Sequence, residues 1–172
     1  AASGKSLWQV KTNSKFSAGV GIGEGLILVG TFKGEVIAYN DSGSMVWQAS
    51  VSSEILSPPQ VQNNVVVVRT LDGRICGLDA LDGARKWVYQ GATPSLTVRS
   101  TAGVTLAHGA VFAGFPGGKL VALSLFTGNL GWEVTVSQPK GVTELERMTD
   151  VTSAPVVNNQ FACAVAYQGR VA

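Results

Sequence analysis

The residues that could carry out acid–base or metal chemistry are few and scattered along this sequence. Aspartates can serve as general acids, bases or hard metal ligands, and a histidine can act as a base near neutral pH. Four aspartates fall in turn-forming patterns, where a solvated structural role is favoured; they are Asp41, Asp72, Asp79 and Asp82. The single histidine, His108, precedes a glycine in another predicted turn. Since no serine or cysteine nucleophile has a base signalled near it, the sequence predicts no catalytic residues and a protein that is not an enzyme.

The two cysteines, Cys76 and Cys163, are far apart in the sequence and stand at different places in its repeating units. We interpret both as small buried hydrophobic residues, with a disulfide as the less favoured alternative. Two cysteines and one histidine do not form a ligand cluster for zinc. The sequence therefore predicts neither a metal site nor a cofactor.

Composition excludes several partner classes. The 172 residues carry a formal net charge of +2, and no cluster of lysines and arginines indicates a nucleic-acid partner. No apolar run approaches the roughly 18 residues of a transmembrane helix. With 21 glycines, 45% hydrophobic and only 14% charged residues, the chain has the composition of short buried strands joined by tight turns. Because residues 1–12 already read as part of a repeat, no signal peptide is expected in this stretch.

A repeat built on glycine and tryptophan organises the chain. Each of the four tryptophans lies four positions after a glycine; the tryptophans are Trp8, Trp47, Trp87 and Trp132. Their separations of 39, 40 and 45 residues are typical of propeller blades or helical arrays. The glycine permits a tight turn, and we expect each tryptophan to pack its ring on the adjacent repeat, stabilising the contact between repeats.

The second repeat shows its strands most clearly. Residues 51–90 divide into four short apolar or alternating runs, separated by turn dipeptides such as Asn63–Asn64 and Asp82–Gly83. In the first repeat, Glu35 to Tyr39 alternate as a half-buried strand would. Four antiparallel strands per period predict an all-β fold, a β-propeller of four-stranded blades.

The repeats predict one partial propeller domain over residues 1–172. Its predicted units are listed here: 13–50, 51–90, 91–136 and an incomplete 137–172, with residues 1–12 as the tail of a preceding blade. We therefore expect an incomplete ring of three full blades with partial units at both ends. Since propellers are closed rings, we expect the chain to be about half of a larger one.

Two insertions interrupt this regular pattern. They follow Trp87 and Trp132, each after the outer strand of one unit and before the inner strand of the next. Insertions at the same stage of neighbouring units should lie side by side, and loops longer than a blade requires commonly carry binding. Leu96, Val98 and Arg99, in the first insertion, combine apolar side chains with a guanidinium, as interface anchors do.

The repeats resemble a known superfamily. The segments GLDALDGARKW (77–87) and ALSLFTGNLGW (122–132) resemble the tryptophan-docking repeat of quinoprotein alcohol dehydrogenases, whose propellers have eight blades. Within that superfamily, PSLTVRS (94–100) and TELERMTDVTSAPVV (143–157) resemble the BamB family, the propeller lipoproteins of the outer-membrane β-barrel assembly complex. The resemblance covers essentially the whole chain in register.

This resemblance implies recognition without catalysis. It implies a scaffold that binds the POTRA domains of the BamA insertase, with Leu96, Val98, Arg99 and Asp150 as partner-binding residues. Thr152 stands where the family has a second aspartate, which departs from the pattern. Further implied partners are other subunits of the complex and unfolded outer-membrane proteins. The implied location is the periplasmic face of the outer membrane, with a lipid anchor that is not in this chain.

The residues alone leave alternatives open. Leu96 and Val98 would also suit the core of an irregular strand, with Arg99 paired internally to Asp150 or Glu146. The repeat would also suit a fragment of a quinoprotein dehydrogenase or a ligand-sensing propeller domain. A dehydrogenase would need a carboxylate above its quinone and calcium ligands, which the sequence does not supply together.

Overall fold

The fold is a row of antiparallel β-sheets. The computed structural model describes residues 4–91, 101–140, 142–143, 148–167 and 169–172, and every regular element in these ranges is a β-strand. Blade 1 contains β1 (Gly21–Gly23), β2 (Leu26–Gly30), β3 (Glu35–Tyr39) and β4 (Met45–Ser50). Blade 2 contains β5 (Gln60–Gln62), β6 (Val65–Arg69), β7 (Arg74–Asp79) and β8 (Arg85–Gln90). Blade 3 contains β9 (Val104–Ala107), β10 (Ala110–Phe115), β11 (Lys119–Ser124) and β12 (Leu130–Thr135).

A further unit follows blade 3 in two short hairpins. Its strands are β13 (Val156–Val157), β14 (Ala162–Cys163), β15 (Val165–Ala166) and β16 (Arg170–Val171). Blades 1 to 3 each pair their strands in chain order, all antiparallel. The all-β propeller blades predicted from the repeat, with an unclosed set of sheets, are therefore confirmed. Each sheet lies inside one predicted unit, while the unit boundaries stay a prediction.

The first strands of successive sheets approach one another, so they line the inside of the array. The contacts run from β1 to β5, from β5 to β9 and from β9 to β13. The last strands, β4, β8 and β12, therefore lie outermost. None of the described residues belongs to a helix long and apolar enough to cross a membrane.

Burial on both faces of a sheet explains the apolar runs. In β6, Val66 and Val68 pack with blade 1 and Val65 and Val67 pack with blade 3. Successive side chains of a strand point to opposite faces, so a sheet covered on both sides needs apolar residues at every position. The expectation that β3 is half-buried is wrong for the same reason, because Val36 to Tyr39 are all buried.

A β-bulge precedes the tryptophan of each complete blade. On β4, Trp47 pairs with Ala38 and Met45 pairs with Tyr39, so Val46 is the extra residue. The third and fourth strands of blades 2 and 3 shift register at the equivalent position. A bulge bends its strand and redirects the side chain that follows it. In blade 1 this leaves Met45 and Val46 exposed in succession and turns Trp47 into the core.

The redirected tryptophans of blades 1 and 2 reach the next blade. Trp47 Nε1 donates a hydrogen bond of 2.8 Å to Ala80 O, and a Cβ at Gly83 would lie 2.6 Å from Trp47 Cε3. Gly83 has a φ of +75°, in the left-handed region that favours glycine. The glycine thus supplies both the turn and the space for the ring of the preceding blade.

Trp87 and Trp8 make the same kind of contact, and Trp132 lies in different surroundings. Trp87 Nε1 donates to Leu125 O at 2.9 Å, and its ring lies against Gly128. Trp8 Nε1 donates to Asp41 O at 2.7 Å, with its ring 37% exposed. Trp132 is 43% exposed, and its ring faces Phe112 of its own blade at 5.9 Å between centroids. The stabilising role of the four tryptophans stays a prediction.

The two cysteines differ in their surroundings. Cys76 is buried between blades 1 and 2, whereas Cys163 is exposed, and both are free thiols. The interpretation of Cys163 as a buried residue is wrong. Its neighbour on β14, Ala162, packs on the cluster around Leu120, so period-two alternation directs Cys163 to the opposite face.

Replacing Trp87, which is 7% exposed, by alanine removes a ring packed between blades 2 and 3. We expect Trp87→Ala to lower the free energy of unfolding by about 3–5 kcal/mol, as for other large buried aromatic residues. Denaturant unfolding of the full chain measures this. Trp132→Ala is the matched control, with a smaller expected loss of unfolding free energy because Trp132 is 43% exposed. Equal midpoints for wild type and Trp87→Ala would contradict the docking role.

The thiols should react at different rates. Burial, aided by the nearby charge of Asp72, raises the pKa of the Cys76 thiol to about 11, so almost none of the reactive thiolate is present near neutral pH. Titration with a chromogenic disulfide reagent should detect one fast thiol in the native chain and two after denaturation. Cys163→Ser should remove the fast one. Two fast native thiols would contradict the buried position of Cys76.

Candidate partner-binding surface

The predicted partner-binding residues fall on the two insertions. Leu96, Val98 and Arg99 lie outside the described residues, as do Glu144 to Arg147 of the second insertion. Asp150 is described, and so are the residues at which both insertions leave and rejoin the blades. The geometry of these flanking residues therefore defines the site.

The first insertion leaves blade 2 at Gly91, directly after β8. The amide of Gly91 donates to Gly73 O at 3.3 Å, which continues the pairing of β7 and β8 by one residue. A Cβ on Gly91 would collide with the ring of Phe115 in blade 3. The insertion thus departs from a point where blades 2 and 3 are in direct contact.

The second insertion leaves and rejoins the array at the turn between β10 and β11. At its start, Ser137 donates its backbone amide to Gly118 O at 3.3 Å. At its end, Asp150 Oδ1 accepts a hydrogen bond of 3.1 Å from the amide of Gly117. Both ends of this insertion are therefore held by one short turn of blade 3.

Arg69, the last residue of β6, connects the two insertions. Its Nη1 donates to Ala102 O at 3.3 Å, just where the first insertion rejoins the chain before β9. Its guanidinium carbon lies 5.2 Å from the centre of the Phe115 ring, within the range of a cation–π contact. Phe115 in turn accepts the amide of Val151, beside Asp150, at its carbonyl oxygen. We call these residues the loop-base cluster; its members are Arg69, Gly91, Ala102, Phe115 and Asp150.

The loop-base cluster has a buried electrostatic component. Burial lowers the pKa of the Arg69 guanidinium below its ordinary value, and the negative charge of Asp150 opposes this shift. The Asp150 side chain is itself buried, with only 4% of the residue exposed. Opposite charges near each other in a poorly solvated region interact more strongly than they would at the surface.

Asp150 occupies a position defined by the repeat. Its carbonyl accepts the amide of Tyr167 at 2.7 Å, as the carbonyl of Glu54 accepts the amide of Leu71 at 2.8 Å in blade 2. It therefore lies in the segment that links one blade to the next. Whether Asp150 contributes to partner binding stays a prediction, as does the alternative of an internal pair with Arg99.

Two of the carboxylates considered for chemistry, Asp79 and Asp82, accept hydrogen bonds within one turn. Asp79 accepts hydrogen bonds from Lys86 and from the amide of Leu81, the latter at 2.9 Å, and these contacts lower its pKa. Asp82 accepts the amide of Ala84 at 2.8 Å. His108 is an exposed turn residue with a φ of +53°. Among the residues the structure describes, no group of three or more His, Cys, Asp or Glu could hold a metal ion.

Sequence reasoning missed Arg69 and Phe115. A signal for Arg69 was nevertheless present, because it ends an otherwise apolar strand at the position where the first and third repeats have Gly30 and Gly114. A charged residue in place of the glycine, in the repeat that the first long insertion follows, indicates a different contact between that blade and the next. Phe115 carried no comparable signal, since an aromatic residue at the end of an apolar strand is ordinary.

Comparisons with known proteins agree on one family. The family model described as outer membrane protein assembly factor BamB matches residues 1–172. A relative of that name from Nitrosomonas eutropha is 59% identical over 98% of this chain and 41% of its own length. The crystal structure of BamB from Moraxella catarrhalis has a TM-score of 0.89 at 30% identity, covering 95% of this chain and 51% of that chain.

Propeller enzymes share the architecture only. A europium-containing methanol dehydrogenase has a TM-score of 0.63 at 20% identity, covering 77% of this chain and 27% of its own. That likeness shows the fold and nothing of the chemistry. The chain spans about half the length of the BamB structure and less of the Nitrosomonas relative. Since the family model matches throughout, the chain belongs to the family of the outer membrane protein assembly factor BamB.

Proposed function

We propose that this chain is a non-catalytic scaffold in the assembly of outer-membrane β-barrel proteins and that it binds the POTRA domains of the BamA insertase. The observation that carries the proposal is the 59% identity, over 98% of the chain, to a relative named as an outer membrane protein assembly factor. Asp79 and Asp82 accept hydrogen bonds within their own turn, which fits a structural use of these carboxylates.

The proposed binding surface is formed by the two insertions, with Leu96, Val98 and Arg99 as its anchors. Its support is the convergence of the insertion ends on Phe115 and the turn that follows it. A surface mounted on rigid sheets loses little conformational freedom when a partner binds, which favours affinity. Asp150 contributes by holding the end of the second insertion, because its buried carboxylate accepts the amide of Gly117.

The proposed setting follows the family. The protein acts at the periplasmic face of the outer membrane, attached through a lipid anchor outside this chain. Other subunits of the assembly complex and unfolded outer-membrane proteins are further proposed partners. No nucleic acid is involved, consistent with the net charge of only +2.

Reversing the charge of Arg99 should abolish binding to purified POTRA domains. An interface arginine that meets a complementary surface becomes repulsive when replaced by glutamate. A pull-down with the full-chain Arg99→Glu variant measures the loss, and circular dichroism checks that the fold is intact. Arg85→Glu is the matched control, because Arg85 is exposed at the end of β8 opposite the first insertion. Undiminished binding of Arg99→Glu would remove this residue from the surface.

The non-catalytic part of the proposal has its own test. Titration of the full chain with pyrroloquinoline quinone and calcium should leave the absorption spectrum of the quinone unchanged, because Asp79 and Asp82 already accept hydrogen bonds within their own turn. A known quinoprotein dehydrogenase, prepared without its cofactor, is the positive control. A saturable spectral change with this chain would favour the dehydrogenase alternative.

A further inference from the structure

Arg69 stands where the other complete blades have glycine. In blade 1, a Cβ at Gly30 would lie 2.6 Å from Ile55 Cγ2, and in blade 3 a Cβ at Gly114 would collide with Val151. Ile55 and Val151 belong to the segments that enter the following units, so at these two boundaries a large linking residue fills the space above a glycine. At the boundary between blades 2 and 3, the strand instead carries the large side chain of Arg69 at this position.

The side-chain contacts of Arg69 with described residues lie at the two ends of the first insertion. Its hydrogen bond to Ala102 O holds the chain two residues after Ser100, where the segment containing Leu96, Val98 and Arg99 ends. Its guanidinium also faces the Phe115 ring, against which Gly91 packs at the start of that insertion. One side chain of blade 2 therefore touches the end of the first insertion and the residue that borders its beginning.

The end of the second insertion contacts Phe115 and the turn that follows it. Asp150 accepts the amide of Gly117, and the adjacent Val151 donates to Phe115 O at 3.2 Å. The ends of both insertions thus depend on a common set of contacts centred on Arg69 and Phe115.

We propose that Arg69 is a positioning residue for the partner-binding surface, fixing the end of the first insertion relative to the end of the second through its contacts with Ala102 and with Phe115, whose carbonyl accepts the amide of Val151. The proposal rests on the proposed function, because it assigns Arg69 to the same surface. Arg69 acts through the residues from which the insertions depart and to which they return.

The test compares variants of Arg69 in the full chain. Arg69→Met removes the charge and the donors while keeping an unbranched side chain, and Arg69→Lys keeps the charge. Arg74→Met is the matched control, since Arg74 is an arginine of the same blade whose partners, Asp72 and Gln90, belong to blade 2 itself. The affinity for purified POTRA domains is measured by biolayer interferometry, and the thermal midpoint is recorded for each variant.

We expect Arg69→Met to weaken binding about tenfold, the typical effect of losing one hydrogen bond that involves a charged group. Arg69→Lys should restore part of the affinity, and Arg74→Met should bind within about twofold of wild type. Hydrogen exchange should become faster in Arg69→Met at residues 101–107 and 148–155, and stay unchanged in blade 1. A residue that merely stabilises the whole fold would not give this local pattern.

Two results would overturn the proposal. Wild-type affinity in Arg69→Met, with Arg99→Glu still defective, would show that Arg69 does not position the surface while the proposed function stands. Faster exchange in every sheet would show that Arg69 has only a general structural role. A wild-type chain that fails to bind the POTRA domains would contradict the proposed function, and the exchange pattern would still decide whether Arg69 holds the two insertions.

Discussion

A tryptophan packed against the glycine turn of the following blade is the contact that repeats between the blades, and we propose that the regular arrangement depends on it. It joins a large apolar ring to a directional hydrogen bond, as for Trp47 with Ala80 O and Trp87 with Leu125 O. Burial of a ring of this size excludes water over a wide area, and the bond from the indole to a backbone carbonyl fixes its orientation. Because every complete blade carries both the tryptophan and the receiving glycine, each contact sets the spacing for the next.

Against this regular pattern, the segments that depart from the repeat can be identified. The turns that receive tryptophans lie at one end of the strands, and the segments that link the blades lie at the other. At the first and third boundaries a glycine on the strand accommodates Ile55 or Val151. The second boundary instead has Arg69, with its contacts to Ala102 and Phe115. The structure thus departs from the repeat at Arg69, beside the ends of the insertions that are proposed to bind the partner.

The same architecture serves different functions in different proteins, since a methanol dehydrogenase shares it at only 20% identity. In this chain Asp79 and Asp82, two of the carboxylates considered for catalysis, are used for local structure. They accept amides within the turn whose Ala80 carbonyl receives the indole of Trp47. What distinguishes members of such a fold is the composition of the segments between blades, because the blades themselves are constrained by packing on both faces.

The sequence by itself determined the β type of the strands, the four strands of each complete blade, their turns and the family. Glycine and tryptophan spacing reports local requirements, a left-handed turn and a large ring, that hold wherever the blade is placed. Only the tertiary structure decided which faces are buried. It showed that β3 is covered on both sides and that Cys163 is exposed. It also showed that a β-bulge precedes the tryptophan of each complete blade and redirects its side chain. It alone brought Arg69, Phe115 and Asp150 together, because they come from blade 2, blade 3 and the segment that follows blade 3. Contacts between residues so far apart in sequence arise from the stacking of blades, which no local pattern records.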